Sequence, residues 1–278
     1  MNAPAPQIVA RRPDFPFTAA EIPNHWYGGN SAGTHLANAL NLVFPAGERF
    51  FIRSVKHYLP KIRDPKLATE VRGFFAQEAM HGREHERFFE VLKAQGYRVD
   101  GFLRRYERIA YGFFERISPP ALNLACTVAL EHFTATLAEH ALSTDLLDEA
   151  HPVMAELLRW HAAEEIEHKA VAFDVLKEVA PSRALRLAGL VCATLGLVVA
   201  TAIATVMLTR QDRTATRRQV REDWKKVRER DDQIGAGFLR RAIVDYLRRD
   251  FHPWQKDNRE LAEGWLAAKD YAAVGARA

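Results

Sequence analysis

Cysteine is scarce in this sequence, where Cys126 and Cys192 are the two thiols among 278 residues. This low count excludes a disulfide framework and a zinc site built on several thiolates. It also indicates a reducing compartment, so we expect the protein in the cytoplasm. Glycine and proline are sparse as well, at 15 and 13 residues. Together with 48% hydrophobic residues, this composition favours a mostly helical chain with a sizeable core.

A large excess of one charge is also absent, because the formal net charge is +4. Basic residues outnumber acidic ones only from Arg210 onward, in a predicted helical tail at residues 210–278. Acidic residues interrupt this tail and no recognition motif appears, so we expect no nucleic-acid partner. We predict that residues 1–30 form an irregular arm. The first 23 residues lack the apolar stretch of a signal peptide.

One short pattern, Glu-x-x-His, occurs twice, beginning at Glu78 and at Glu165. On a helix this spacing places the carboxylate and the imidazole on one face. Two such pairs, each preceded by another helix with a glutamate able to face inward, form the ligand pattern of dinuclear carboxylate sites in ferritin-like four-helix bundles. We therefore predict an all-α fold with a ferritin-like four-helix bundle over residues 31–182.

Proline and capping residues divide this region into four long helices and a shorter one. The long helices are predicted from Ser31 to Tyr58, from Pro65 to about Gly96, from Pro119 to about Leu142, and from Pro152 to a point before Pro181. Asp64 is expected to cap the second helix, and Pro45 either kinks or restarts the first. Residues 102–116 are predicted to form a shorter amphipathic helix in the long connection.

Each long helix contributes one group of candidate ligands. The predicted metal ligands are Glu48, Glu78, His81, Glu131, Glu165 and His168. Four carboxylates balance the charge of two divalent cations, and carboxylate with imidazole suits iron, with manganese as the alternative. Glu164 could replace Glu165. Four neighbouring acids are expected to form ion pairs at the solvent: Glu84, Glu86, Glu90 and Glu167.

Two further histidines, His85 and His161, each lie one helical turn from a predicted ligand. Our hypothesis is that they hold a third metal or bind substrate, with Glu139 or His132 as further contributors. The alternative is hydrogen bonding that orients the ligands. With Glu164 as an acid that handles protons, His85 and His161 are the candidate catalytic residues.

Residues 187–208 contain no charged side chain. A helix of this length could cross the hydrocarbon core of a membrane, so we predict a membrane-embedded helix over residues 183–209 and association with the inner membrane. The alternative is a helix buried against the bundle or between the subunits of a homodimer. Charged amphipathic helices are predicted to follow at residues 214–232 and 237–250, facing either a lipid interface or the bundle.

Longer phrases extend these motifs: FPAGERFF at 44–51, QEAMH at 77–81, ALEHFTA at 129–135 and WHAAEEIEHKAVAFD at 160–174. Through them the sequence resembles the bacterial family called "predicted metal-dependent hydrolase" over about residues 20–180. The resemblance implies a metal-dependent enzyme. The ligand pattern is also similar to that of di-iron oxygenases, desaturases and oxidases.

Two enzymatic functions follow from these patterns. The main hypothesis is a di-iron oxidase or oxygenase that activates O₂, takes electrons from a separate donor and oxidises a hydrophobic small molecule. The alternative is a hydrolase in which the metals lower the pKa of a bound water. Iron storage or a structural metal bundle ranks last, because neither needs a long apolar segment and a basic tail.

Overall fold

The computed structural model describes residues 8–230 and 235–274, and most of these are helical. The helices are α1 (Ser31–Lys56), α2 (Pro65–Ala94), α3 (Asp100–Ile109), α4 (Glu115–Ile117), α5 (Pro120–Ser143), α6 (Pro152–His168), α7 (Val171–Val179), α8 (Arg183–Gln211), α9 (Arg217–Glu229), α10 (Ala236–Tyr246) and α11 (Arg259–Ala267). A π-helical turn (Ala110–Phe114) joins α3 to α4, and the strands β1 (Arg11–Arg12) and β2 (Ala272–Ala273) form a short antiparallel pair. The predicted all-α fold is confirmed.

The starts of the long helices follow signals in the local sequence. Asp64 caps α2, because its carboxylate accepts the backbone N–H of Lys66 at 2.8 Å, and Pro65 occupies the first helical position. Pro45 lies inside α1, which continues through it to Lys56 as one helix. The alternative of a helix that restarts at this proline is therefore wrong.

The fourth long helix is interrupted, although the sequence predicted it as continuous. α6 ends and α7 begins on either side of a turn at Lys169 and Ala170. The Lys169 ammonium donates to the Lys256 carbonyl oxygen at 2.7 Å and to the Asn258 side chain at 2.6 Å, and it lies over the ring of Trp254. The interruption coincides with this docking of the C-terminal segment, a long-range contact that local sequence does not encode.

The shorter predicted helices appear with shifted ends. Residues 102–116 are divided among α3, the π-helical turn and α4. The two predicted tail helices correspond to α9 and α10. Residues 231 and 232, at the end of the first tail prediction, lie outside the described residues.

Four helical units surround one interior: α1, α2, α5 and the α6–α7 pair. α1 packs on α2 and α5, α5 packs on α6 and α7, and α2 contacts α6 and α7. These are the units predicted to carry the ligands, which is the arrangement that a four-helix bundle requires. The ferritin-like topology of the bundle stays a prediction.

Two separate apolar clusters fill the interior of these helices. One cluster includes Leu42, Phe88, Trp160 and Ile166, and the other includes Phe51, Phe74, Val128 and Val171. Along each helix, the predicted ligands lie between residues of one cluster and residues of the other. The ligands therefore form a polar layer between two apolar clusters.

The apolar helix α8 lies along α5 and α1. This helix is long and apolar enough to cross a membrane, and 33% of its most apolar stretch is buried. Gly189 allows the close approach to α5, because a Cβ atom there would overlap the backbone of Ala125. The opposite face exposes large apolar side chains, among them Val191, Leu195 and Ile203. One face of α8 is thus packed on the bundle, while membrane association stays a prediction.

The N-terminal arm also lies against the bundle. Residues 8–30 contain little regular structure apart from β1, and residues 1–7 of the predicted arm lie outside the described residues. Phe15, Ile22 and Trp26 are nevertheless buried, and the Trp26 indole donates a hydrogen bond to Asn38 of α1 at 2.8 Å. The arm therefore contributes side chains to the core.

Candidate metal centre

The six predicted ligands are buried together in the polar layer. They come from α1, α2, α5 and α6, and none is more than 2% exposed: Glu48, Glu78, His81, Glu131, Glu165 and His168. α2 and α6 each supply a glutamate and a histidine three residues apart, which lie on one helix face. The structure thus brings together all six side chains that the sequence singled out as metal ligands.

The ligand atoms form two groups that share one glutamate. Within each group the atoms lie within 4.8 Å of one another: Glu48, Glu78 and His81 form one group, and Glu78, Glu131 and His168 form the other. The Oε1 atom of Glu165 lies 3.6 Å from His81 Nδ1 and 3.6 Å from His168 Nε2, so it reaches both groups. We call these groups the His81 side and the His168 side of the centre.

Most atoms that face this space have no hydrogen-bond partner among the described residues. They are both carboxylate oxygens of Glu48, Glu78 and Glu131, Oε2 of Glu165, Nδ1 of His81 and Nε2 of His168. Buried carboxylate oxygens without a partner destabilise a folded protein. Two cations would bind these atoms and remove that cost. The residues present therefore fit a dinuclear metal group.

Burial raises the pKa of three of these carboxyl groups in the metal-free protein. The pKa values of Glu48 and Glu131 lie well above the usual value, because burial and the neighbouring carboxylates both disfavour the charge. Burial also raises the pKa of Glu78 to about 7, although the imidazole of His168 acts in the opposite direction. Cations in the centre would lower all three pKa values by favouring the ionised form.

His168 is anchored on the side that faces away from the centre. Its Nδ1 lies 2.8 Å from Oε1 of Gln77, whose amide nitrogen donates to Glu167 at 2.6 Å and to the Val9 carbonyl oxygen at 3.2 Å. Because the amide oxygen can only accept, His168 donates from Nδ1, and its Nε2 faces the centre, 3.1 Å from Glu78 Oε1. Although burial disfavours the imidazolium, the surrounding carboxylates raise the pKa of His168 in the metal-free protein, and a bound cation would take the place of the Nε2 proton.

His81 is anchored in a similar way by Glu164. His81 Nε2 lies 3.1 Å from Glu164 Oε2, which leaves Nδ1 for the centre. Glu164 Oε1 accepts hydrogen bonds from the backbone N–H and the guanidinium of Arg11, at 3.1 and 3.2 Å. Burial raises the pKa of Glu164 to about 8, and Arg11 opposes this shift. Glu164 thus lies behind His81 while Glu165 faces the cations' space, and the proton-handling role of Glu164 stays a prediction.

A family model described as "Predicted metal-dependent hydrolase" matches residues 9–257. The chain belongs to this family. The resemblance inferred from the motifs is confirmed, and the match extends well beyond residues 20–180, through α8, α9 and α10. No curated protein and no solved structure matches the chain.

In this member of the metal-dependent hydrolase family, Arg11 of the N-terminal arm supports the centre from outside. Its two terminal nitrogens bind the carboxylate of Glu167 at 2.8 and 2.9 Å, in addition to the bonds with Glu164. Glu167 is therefore buried, and the prediction that it forms an ion pair at the solvent is wrong. Nothing in the sequence marks Arg11, because it lies in an irregular segment without a motif.

The other three acids expected at the solvent differ among themselves. Glu84 is also buried, because it pairs with Arg87 at 2.6 Å and Arg87 in turn donates to the Phe15 carbonyl of the arm. The solvent prediction for Glu84 is thus wrong for the same reason as for Glu167: the arm covers this side of the bundle. Glu86 and Glu90 are exposed and form ion pairs, as expected.

The structure brings His85 and His161 to the His81 side of the centre. His85 Nε2 lies 2.7 Å from His161 Nδ1. His161 Nε2 lies 2.9 Å from Glu165 Oε1 and 3.9 Å from Glu48 Oε1. The ring of Phe44 packs edge-on against both imidazoles. A third metal bound by this pair stays a prediction.

His132 and Glu139 are not part of this cluster. His132 Nε2 donates to the carbonyl oxygen of Ala242 at 2.8 Å, and Glu139 forms an ion pair with Lys256 at 2.7 Å. Both residues therefore bind the C-terminal segment. Neither is placed to share a cation or a substrate with His85.

A surface groove of about 630 Å³ lies between α1, the π-helical turn and the start of α5. Charged and polar side chains line much of it, including Arg49, Arg53, Tyr111, Glu115 and Asn123. None of the six ligands lines this groove. The metal centre is therefore separate from it and enclosed by the bundle.

Proposed function

We propose that the protein is a hydrolase with a dinuclear metal centre formed by the six ligands. One observation carries this proposal: most of the ligand atoms of four carboxylates and two imidazoles are buried without hydrogen-bond partners in a chain of the "predicted metal-dependent hydrolase" family. Cations bound there would polarise a carbonyl or phosphoryl oxygen and lower the pKa of a bound water.

The glutamates divide into two kinds by their positions. Glu78 and Glu165 reach both sides of the centre, so they would hold both cations. Glu48 reaches the His81 side and Glu131 the His168 side, so each would hold one cation. Four carboxylates also neutralise the charge of two divalent cations, which allows all of these groups to be buried.

Aromatic side chains keep bulk water away from this centre. The ring of Trp160 packs edge-on against His81, and the ring of Phe74 packs edge-on against His168, with centroids 5.0 Å apart in both pairs. Both aromatic residues are fully buried. A dry site strengthens electrostatic interactions, because water no longer screens them.

The test uses the full-length protein, stripped of metal with a chelator and then loaded separately with Fe²⁺, Mn²⁺ and Zn²⁺. We expect two cations per chain and metal-dependent turnover within a panel of chromogenic esters and phosphoesters. Glu78→Gln should abolish turnover and weaken cation binding, whereas Glu86→Gln, at an exposed acid of the same helix, should change neither. Absence of cation binding contradicts the centre, and binding of two cations without turnover of any panel member contradicts hydrolysis.

A second candidate function is O₂-dependent oxidation by a di-iron centre. The donor set favours it, because carboxylates and imidazoles without thiolates suit iron, and paired Glu-x-x-His motifs occur in di-iron bundles. An enzyme of this kind would need an electron donor. The exposed apolar face of α8 would suit a hydrophobic small-molecule substrate and a location at the membrane.

Anaerobically reduced, iron-loaded protein separates the two candidates. Rapid O₂ consumption with a transient visible absorption supports oxidation. Inertness toward O₂, combined with turnover of esters or phosphoesters, supports hydrolysis. Mössbauer spectra of the same samples identify whether the iron is dinuclear.

A further inference from the structure

We propose that His161 is a third imidazole ligand of the metal centre, binding through Nε2 on the His81 side, and that Asn41 and His85 hold it in the required tautomer. This inference rests on the metal centre of the proposed function but is independent of the reaction that the centre performs.

The four side chains involved form one buried hydrogen-bonded chain. Asn41 Oδ1 lies 2.7 Å from His85 Nδ1, and His85 Nε2 lies 2.7 Å from His161 Nδ1. His161 Nε2, at the end of the chain, lies 2.9 Å from Glu165 Oε1. Asn41 and His85 are completely buried, and His161 is 5% exposed. Water therefore has little access to this chain, so the protein must determine where its protons lie.

Asn41 determines which atoms donate and which accept along this hydrogen-bonded chain. The amide nitrogen of Asn41 donates to the Ala37 carbonyl oxygen at 2.8 Å, one helical turn earlier. A flipped amide would place two oxygens against each other, so Oδ1 faces His85 and can only accept. His85 therefore carries its proton on Nδ1.

The same reasoning passes from His85 to His161. A neutral His85 with a proton on Nδ1 has a lone pair on Nε2, which accepts the Nδ1 proton of His161. A neutral His161 with a proton on Nδ1 then directs its Nε2 lone pair toward Glu165. The other proton arrangements place a buried imidazolium at His85 or at His161, and two cations in the centre would repel either charge.

A lone pair on His161 Nε2 that faces a carboxylate oxygen needs a proton or a cation between the two atoms, and in the metal-loaded centre a cation takes this place. Without one, this nitrogen and the Glu165 oxygen would be two acceptors at 2.9 Å. The ligand atoms of His81, His161 and Glu165 lie within 4.8 Å of one another, so one cation can bind all three. The ring of His161 also lies against that of His81, with centroids 4.2 Å apart. His161 therefore belongs to the His81 side and shares its cation.

A third imidazole makes the two sides of the centre unequal. The His81 side has two imidazoles, Glu48 and the two shared glutamates, whereas the His168 side has one imidazole, Glu131 and the same shared glutamates. The His168 side therefore has fewer protein ligands. A substrate or water molecule from outside should bind on that side. The arrangement also leaves no free nitrogen on His85 for a third metal.

The test measures proton and metal positions on the histidines directly. Full-length chain labelled with ¹⁵N-histidine is loaded with Zn²⁺, and nitrogen chemical shifts distinguish protonated, lone-pair and metal-bound nitrogens. We expect two Zn²⁺ per chain, a metal-bound Nε2 on His161 and protonated Nδ1 atoms on His161 and His85. Two bound Zn²⁺ with a proton on His161 Nε2 overturn the inference and leave the centre intact. Failure to bind Zn²⁺ overturns the centre and the inference together.

Variants test the same chain through metal affinity, with Co²⁺ absorption as the readout. His161→Ala removes a direct ligand, so it should weaken the binding of one of the two cations by at least the roughly 10- to 100-fold that loss of a supporting partner causes. Asn41→Leu, which removes the acceptor, should have an effect in the same direction, whereas Asn41→Asp keeps an acceptor and should retain tight binding. His57→Ala, at an exposed histidine of the same bundle, is the control. Equal affinities in Asn41→Leu and Asn41→Asp overturn the role of Asn41, and a third Co²⁺ that disappears with His85→Ala overturns the shared-ligand arrangement.

Discussion

In the metal-free protein, the free energy of unfolding should fall as the pH rises from 7 to 8. In the metal-free protein, burial holds the pKa values of Glu48 and Glu131 well above the usual carboxyl value. In the unfolded chain these carboxyls lose their protons near their ordinary pKa of about 4.3. The native state thus keeps protons that the unfolded state has lost. The contribution of these protonated carboxyls to the free energy of unfolding is fully present at low pH, and it is lost progressively as the pH rises.

The size of this effect follows from the number of protons kept. Each carboxyl that stays protonated in the native state lowers the free energy of unfolding by about 1.4 kcal/mol per pH unit. Glu48 and Glu131 can therefore lower it by at most about 3 kcal/mol between pH 7 and pH 8. Burial raises the pKa of Glu78 to about 7 and that of Glu164 to about 8, so both act in the same direction. His81 and His85, whose pKa values burial lowers, act at lower pH, because unfolded histidine is already mostly neutral at pH 7. They therefore do not offset the fall.

Urea unfolding followed by circular dichroism at pH 7 and pH 8, in excess chelator and with saturating Mn²⁺, measures this fall. With cations bound the fall should disappear, because the ionised carboxylates are then paired. Saturation at 100 times the dissociation constant should also add about 2.7 kcal/mol per cation. In chelator, Glu131→Gln should reduce the pH slope, by at most about 1.4 kcal/mol per pH unit, and Glu86→Gln should leave it unchanged. Parallel pH curves with and without metal would refute the reasoning.

Three further substitutions test contacts outside the ligand set. Arg11→Met should lower the free energy of unfolding by about 2–4 kcal/mol at pH 8 and by less at pH 6. The reason is that two buried carboxylates lose the guanidinium that pairs with them, and urea unfolding at both pH values checks this. Gln77→Leu should weaken metal binding by roughly 10- to 100-fold while secondary structure is retained, since His168 loses its anchor; Mn²⁺ titration with circular dichroism checks both. Gly189→Val should destabilise the protein by about 3 kcal/mol in thermal or urea unfolding, because its side chain would overlap the backbone of Ala125, whereas Gly196→Val, at an open position of the same helix, should not.

The ligands could be predicted because their signal is local. A Glu-x-x-His pair lies on one helix face whatever surrounds the helix, and two such pairs identify the two faces that meet. Asp64 with Pro65 marks a helix start by the same kind of short-range chemistry. The sequence therefore predicted the helical fold and the set of six side chains that converge.

Contacts between distant segments could not be predicted in this way. Arg11 meets Glu167 across more than 150 positions, and no pattern near either residue indicates it.

Helix geometry explains why His132 and Glu139 lie apart from the centre. A residue next to Glu131 points about 100° away around the helix, and one that follows eight positions later has drifted by about 80°. Both therefore face the C-terminal segment.

The polar layer between the two apolar clusters has a consequence for cooperativity. Each cluster is continuous in itself, and the ligands separate one from the other along α2 and its neighbours. Without cations, the layer between the two halves consists of buried carboxyls that lack hydrogen-bond partners and hold the halves together poorly, so each half should open independently. Bound cations would join the halves into one unit. In hydrogen exchange, the amides of α2 before and after Glu78 should then exchange at two different rates in chelator and at one common rate with metal.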